Sequence, residues 1–289
     1  VAYLRAHPER AVALLQWIRR RAYPERLGAL TFFAMSKVHD PRVRAALADV
    51  ADDPGYTSGD RVRAAFALAD NDSADVESVA RLARVAQGAS ASPDDALARD
   101  GALNAIGTLR GRATGEVSEA AGRVLREALD GARTPEARGD ALDAITNARD
   151  RAFLPDAREA LASPSTRVRE SAAGALAAMD DASVEALLRE RLRVEDDPAV
   201  SVSLVRAILV HTGRRPSAET VEVAAARLPR DESVEVRLTL VELLGAAAAW
   251  NGAARTALVR WFPAEPEARV QAAIGRYLPA EMLAPAGRG

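Results

Sequence analysis

Cysteine is absent from the 289 residues, which excludes disulfides, thiolate metal sites and cysteine nucleophiles together. Histidine occurs only at His7, His39 and His211, with no His-Glu dyad and no His-x-x-x-His pair on one helix face, so no metal is expected. Aromatics make up 4%, which argues against sheets, since strands favour aromatic and β-branched side chains. No apolar run is long enough for a transmembrane span. There is no Gly-x-Ser-x-Gly, no Walker loop and no glycine-rich turn after a strand, and Gly111-Arg112-Ala113-Thr114-Gly115 reads as an interhelical loop. The chain is therefore expected to be no enzyme and to carry no cofactor.

Neither sign of charge prevails: 39 basic residues face 41 acidic ones, for a net charge of −2. The one basic triplet, Arg19-Arg20-Arg21, closes an amphipathic segment, where cations complement a helix C-terminus. Nucleic acid needs a basic surface, so it is not an expected partner. Lys37 is the only lysine, a skew toward arginine that fits a GC-rich bacterial genome. The chain opens at Val1 directly in helix-forming sequence, which reads as a processed or excised protein.

What is present is 48% hydrophobic and 28% charged residues, a folding composition rich in alanine, the best helix former. An internal repeat organises it. Arg26, Arg61, Arg99, Arg138, Arg169, Ser201, Arg237 and Arg269 recur at spacings of 35, 38, 39, 31, 32, 36 and 32. Three positions on stand Ala29, Ala64, Ala102, Ala141, Ala172, Leu204, Leu240 and Ala272. Four further stand Phe33, Leu68, Ile106, Ile145, Leu176, Ile208 and Leu244, and the last unit slips by one to Tyr277. This spacing places an apolar stripe on one helical face. A second apolar-periodic helix lies between these anchors, as in Val76-Val79-Leu82-Val85 and Val184-Leu187-Leu188-Leu192. Neither helix of such a pair buries its stripe alone, so neighbouring pairs must stack. The units read as 1–39, 40–72, 73–112, 113–149, 150–180, 181–213, 214–250 and 251–289 of a single array.

Asp40-Pro41, Ser92-Pro93, Thr134-Pro135, Ser163-Pro164, Asp197-Pro198 and Glu265-Pro266 each precede a helical pattern, as caps followed by a first-turn proline. Gly111, Gly131 and Gly213 stand where helices should stop. The expected fold is all-α.

The segments 163–176 (SPSTRVRESAAGAL) and 231–245 (DESVEVRLTLVELLG) resemble the second helix of a HEAT repeat, with Asp or Ser-Pro, then Val-Arg, then spaced Ala and Leu. The resemblance runs through nearly the whole chain and implies a right-handed α-α superhelix of about eight helix pairs. It also implies that the anchor arginines pair with acids near the preceding turn, with Asp60 and Glu235 as candidates. The metal-dependent hydroxylase built from HEAT repeats carries His-Glu dyads, and this chain has none. Residues 141–161 are similar to a stretch in the helical domain of the large lipid-transfer proteins, the vitellogenin group, with Thr146 in place of its glycine.

The acidic clusters Asp49/Asp52/Asp53, Asp70/Asp72/Asp75, Asp94/Asp95 and Glu195/Asp196/Asp197 read as helix caps, since a calcium loop needs a glycine turn and a closing glutamate that Asp70-Asn71-Asp72 lacks. Trp17, Tyr23, Phe32 and Phe33 near one end, and Trp250, Trp261, Phe262 and Tyr277 near the other, read as bulk for end repeats. The resemblance places second helices on the concave side. There, positions two and five beyond the anchor point away from the stripe: Arg63/Phe66, Gly101/Asn104, Asp140/Asp143, Ser171/Gly174, Ser203/Arg206 and Thr239/Glu242. A lipid groove needs an apolar row and a DNA cradle a basic one; this row is polar, small and of mixed charge. The expected function is a scaffold for a protein or peptide partner, with a lipid-transfer-like module or a HEAT-like DNA glycosylase as alternatives.

Overall fold

A computed structural model describes residues 2–18, 28–30, 38, 40–70, 74–88, 93–279 and 282. Arg19 to Arg21, Tyr23, Arg26, Phe32, Phe33, Lys37, His39, Asn71, Asp72 and Ser92 lie outside them. Among the described residues there are sixteen α-helices, two 3-10 turns and no strand. The fold is an all-α, HEAT-like solenoid of stacked helix pairs, grouped in two compact units, Val1–Asp150 and Arg151–Gly289.

The first unit holds α1 (Ala2–Ala6), α2 (Pro8–Ile18) and three pairs: α3 (Pro41–Asp52) with α4 (Ser58–Ala69), α5 (Val76–Gln87) with α6 (Pro93–Arg112), and α7 (Gly115–Gly131) with α8 (Pro135–Ala148). The second helices α4, α6 and α8 pack side by side. Their stripes, Ala64 and Leu68, Ala102 and Ile106, Ala141 and Ile145, are fully buried, as the repeat spacing requires. Glycine sets the spacing between α6 and α8: a Cβ on Gly107 would stand 2.0 Å from Ala144 O, and one on Gly111 2.8 Å from Asn147 O. Gly111 is thus a close-approach residue inside the last turn of α6, not the stop its sequence position suggested.

The second unit holds a 3-10 turn (Arg151–Phe153) and four pairs: α9 (Leu154–Ala160) with α10 (Thr166–Ala178), α11 (Val184–Val194) with α12 (Pro198–His211), α13 (Ala218–Arg227) with α14 (Val234–Ala247), and α15 (Gly252–Trp261) with α16 (Ala268–Gly275). Ala172 and Leu176, Leu204 and Ile208, and Leu240 and Leu244 are buried here in the same positions. The last pair departs from the expected register. Ala272 is exposed, whereas Ile274 and Leu278 are buried, so Gln271 rather than Arg269 holds the anchor position and the frame slips by two.

The caps are local chemistry. Asp40 accepts from Arg42 N, Thr134 from Ala137 N, and Asp197 from Ala199 N and Val200 N, each ahead of a proline that needs no N–H partner. Asp75 forms a reciprocal capping box with Ser78. Two expected caps are corrected. α10 begins after Ser165, and α16 is capped by Glu267 instead of Glu265, because the Glu265 carboxylate is committed elsewhere.

Candidate functional site

The anchor arginines of the second unit bind the turns that join first to second helices. Arg169 donates from Nε and Nη2 to Glu195, both at 3.0 Å, and from Nη1 to Ser163 O and Pro164 O at 2.9 and 3.1 Å. Arg237 repeats this with Glu265 at 2.9 Å twice and with Asp231 O and Glu232 O at 3.1 and 3.0 Å. The preceding turn therefore supplies carbonyl oxygens, while the carboxylate comes from the following turn. That corrects the expectation of an acid near the preceding turn. The two candidates do other things: Glu235 pairs with Arg269 at 3.2 Å on the surface, and Asp60, fully buried, receives Thr57 Oγ1 at 2.9 Å.

Each turn acid also has a donor four residues upstream. Arg191 reaches Glu195 at 2.8 and 2.6 Å, Arg227 reaches Asp231 at 3.0 Å, and Trp261 Nε1 reaches Glu265 at 2.7 Å. The amides of Asp197 and Glu267 add 3.0 Å bonds. Burial alone would push both glutamates up, but the guanidinium, indole and amide donors outweigh it and hold Glu195 and Glu265 below the usual carboxylate range. With Glu265 at 0% and Arg237 at 8% side-chain exposure, this is a desolvated, bidentate pair that fixes turn-to-turn geometry.

Ser201 interrupts the series, and Arg227 fills in from the neighbouring first helix. Its Nη2 donates to Ser201 Oγ at 2.7 Å and its Nη1 to Leu192 O. At the last pair Gln271 Nε2 donates to Glu265 O at 2.8 Å and to Phe262 O at 3.4 Å. Aligning the turns by an acid four residues after Arg or Trp would have found Arg227, Trp261, Glu265 and Gln271; aligning by arginine hid them. In the first unit, Arg61 and Arg99 instead donate to Ala51 O and Ala86 O, each at 3.2 Å, satisfying the C-terminal carbonyls of α3 and α5.

The second-helix row divides by exposure. Arg63 and Arg206 are exposed, and Phe66, Asn104, Asp140, Asp143, Ser203 and Glu242 half-buried. Ser171 and Thr239 are corrected: at 4% and 6% exposure they lie in the helix contacts, since α10, α12 and α14 pack along their flanks. Gly101 also packs away, where a Cβ would meet Val62 at 2.6 Å. Within each unit the row is cross-linked. Asn147 Nδ2 donates to Asn104 Oδ1 at 2.8 Å in the first, while Ser203 Oγ reaches Glu170 at 3.4 Å and Arg214 reaches Glu242 at 2.9 Å in the second. Neither Arg63 nor Arg206 has a hydrogen-bond or ion-pair partner among the described residues.

Of the acidic clusters, Asp75 and Asp197 act as N-caps. Asp49 and Asp52 instead face Arg81 at 2.8 and 3.5 Å, and Asp70 pairs with Arg112. Among the described residues no group of three metal-ligating side chains converges on one point, and no helix is long and apolar enough to cross a membrane. A cleft of about 770 Å³ opens in the second unit between α11, α13 and the turns 195–198 and 230–233.

Residues 122–208 match the family model of HEAT repeats. No curated protein sequence matches the chain. Three solved structures resemble it distantly. An engineered protein has 18% identity over 94% of this chain and 78% of its own, with a TM-score of 0.45. Human deoxyhypusine hydroxylase in complex with glycerol has 19% identity over 96% and 98%, with a TM-score of 0.37. The complex of CpcE and CpcF of phycocyanin lyase from Nostoc has 17% identity over 94% of each chain, with a TM-score of 0.40. Residues 122–208 thus carry HEAT repeats, and helix pairs of the same kind stand before and after them.

Proposed function

We propose that the chain is a non-enzymatic scaffold that binds a protein or peptide partner through the exposed face of its second helices. The observation that carries this reading is the pair Arg63 and Arg206: exposed guanidinium groups without internal partners, on rows whose other polar side chains are largely tied to one another. A surface of paired amides and carboxylates punctuated by unpaired guanidinium groups suits a partner presenting carboxylates and backbone carbonyls. The same row is too polar for acyl chains and too mixed in charge for a duplex.

A photo-crosslinking residue placed at position 206 or 63 tests this. Each position is expected to capture a protein from the native host, and Ser203→Glu, on the same row as Arg206, to weaken capture at position 206 severalfold. The control is the exposed first-helix position Glu127. Capture at 127 alone, or equally at all three positions, would sink the reading.

A further inference from the structure

Among the described residues no large apolar side chain is more exposed than Val210, at 70%. It stands on the outer face of α12, with Arg206 one turn before it on the same face. Arg214 follows in the turn after the helix. There the backbone takes positive φ at Gly213 and Arg214, 57° and 64°. Arg214 reaches α14, donating from Nη1 to Glu242 at 2.9 Å, with the Tyr277 side chain beside it. The Tyr277 ring in turn packs on α14, where a Cβ on Gly245 would meet it at 2.4 Å. These contacts gather the C-terminal ends of α12, α14 and α16 on one surface.

The repeat register extends that surface. Ala178, Val210 and Ala246 each lie two residues beyond the buried Leu176, Ile208 and Leu244 of neighbouring helices. None of the three is buried. Trp250, one turn beyond Ala246, keeps 44% of its side chain exposed instead of serving only as bulk for the end repeat.

The charge around this apolar strip is mainly positive. Arg206, Arg215 and Arg276 are exposed, with no hydrogen-bond or ion-pair partner among the described residues. None of them donates to a helix carbonyl, so they are not spent on capping. The acids at this end are Glu242, already paired with Arg214, and Asp180 in the turn after α10. Asp181 is held by Arg151 at 2.5 Å, and Glu219 lines the cleft on the first-helix side.

We propose that this end of the second unit docks an acidic segment of a protein partner. An apolar side chain of the segment rests on Val210, bordered by Trp250, and flanking carboxylates meet Arg206, Arg214 and Arg215. Exposed apolar area gains only from a partner that brings apolar area of its own, which a lone anion does not. Guanidinium groups recognise carboxylates through paired hydrogen bonds. The site deepens the second-helix reading and rests on it, since Arg206 belongs to both.

The test titrates the full chain by NMR with three blocked pentapeptides and with pentathymidylate. The first peptide has leucine between two pairs of glutamates; the others replace its glutamates by glutamine or its leucine by serine. Pentathymidylate matches the charge of the four glutamates. The acidic leucine peptide is expected to shift the amide signals of Arg206, Val210 and Arg214 and the indole signal of Trp250. It should bind at least about fivefold tighter than each other probe. Val210→Ser, and Arg206→Gln combined with Arg215→Gln, alter only exposed side chains. Each is expected to keep the parent's melting midpoint and to lose about fivefold or more in affinity for this peptide; if one does not fold, the other decides. Equal binding of any other probe, or undiminished binding by a folded variant, overturns the site. Cross-linked capture at positions 63 and 206 reports on the second-helix reading separately, so a failure here with capture retained sinks this site alone.

Discussion

Arg227 Nη2 lies 2.7 Å from Ser201 Oγ, so a guanidinium from the first helix of one pair occupies space that the repeat assigns to an arginine on the second helix of the pair before it. The position of the charge is kept although the residue carrying it has changed helix. Arg227 also holds Asp231 and Leu192 O, so the two substitutions are expected to differ. Ser201→Ala removes one acceptor and should cost about 1 kcal/mol. Arg227→Ala strips the half-buried Asp231 of its cation and should cost about 3 kcal/mol. Urea midpoints of the two variants and their double mutant measure this; equal costs would show that the arginine is held elsewhere.

The Arg237–Glu265 pair carries a sharper expectation. Glu265→Ala leaves a guanidinium at 8% exposure without its counter-charge and should destabilise the chain by roughly 3–5 kcal/mol. Glu235→Ala, which breaks the exposed pair with Arg269, should change stability by no more than about 0.5 kcal/mol. Thermal or urea unfolding of both variants checks the contrast, which fails if the two costs match.

Acid should weaken the same turns. An unfolded glutamate titrates near about 4.3, and Glu195 and Glu265 titrate below the usual range in the folded chain because their arginine, indole and amide donors outweigh burial. As pH falls, the unfolded chain takes up these protons first. The contribution is complete above the unfolded value and disappears as pH passes down through the folded values. The unfolding midpoint should hold level from neutrality to about pH 5 and then drop, and Glu265→Gln should flatten the drop. An unchanged acid slope in that variant would remove Glu265 from the account.

Gly107→Ala tests the closeness of α6 and α8. The added methyl meets the Ala144 carbonyl at 2.0 Å, a backbone atom that cannot swing aside, so about 3 kcal/mol is expected. Gly131→Ala meets nothing within 4 Å at the end of α7 and should lie within about 0.5 kcal/mol of the parent. Comparable melting points for the two would mean that the helices stand further apart.

The all-α class, the helix pairs and the buried stripes from Ala64–Leu68 to Leu240–Leu244 were legible in the chain itself. An apolar residue every three or four positions leaves a helix one face to hide, and capped prolines mark where it begins. That much is local: Asp197 caps α12 because the amides of Ala199 and Val200, two and three residues on, lie within reach of its carboxylate. The row on the second helices was legible in position but not in exposure, since nothing in Ser171 or Thr239 reveals that a neighbouring helix covers it. The rungs were not legible at all in their pairing. Arg169 meets Glu195 across 26 residues and Arg237 meets Glu265 across 28, while Gln271 and Arg227 do the work of anchor arginines from other sequence positions. A long, flexible guanidinium can reach any acceptor within several ångströms, so its partner is chosen by how adjacent turns stack. Periodicity along the chain therefore settled which faces are buried, and only the packed tertiary structure decided which charges meet.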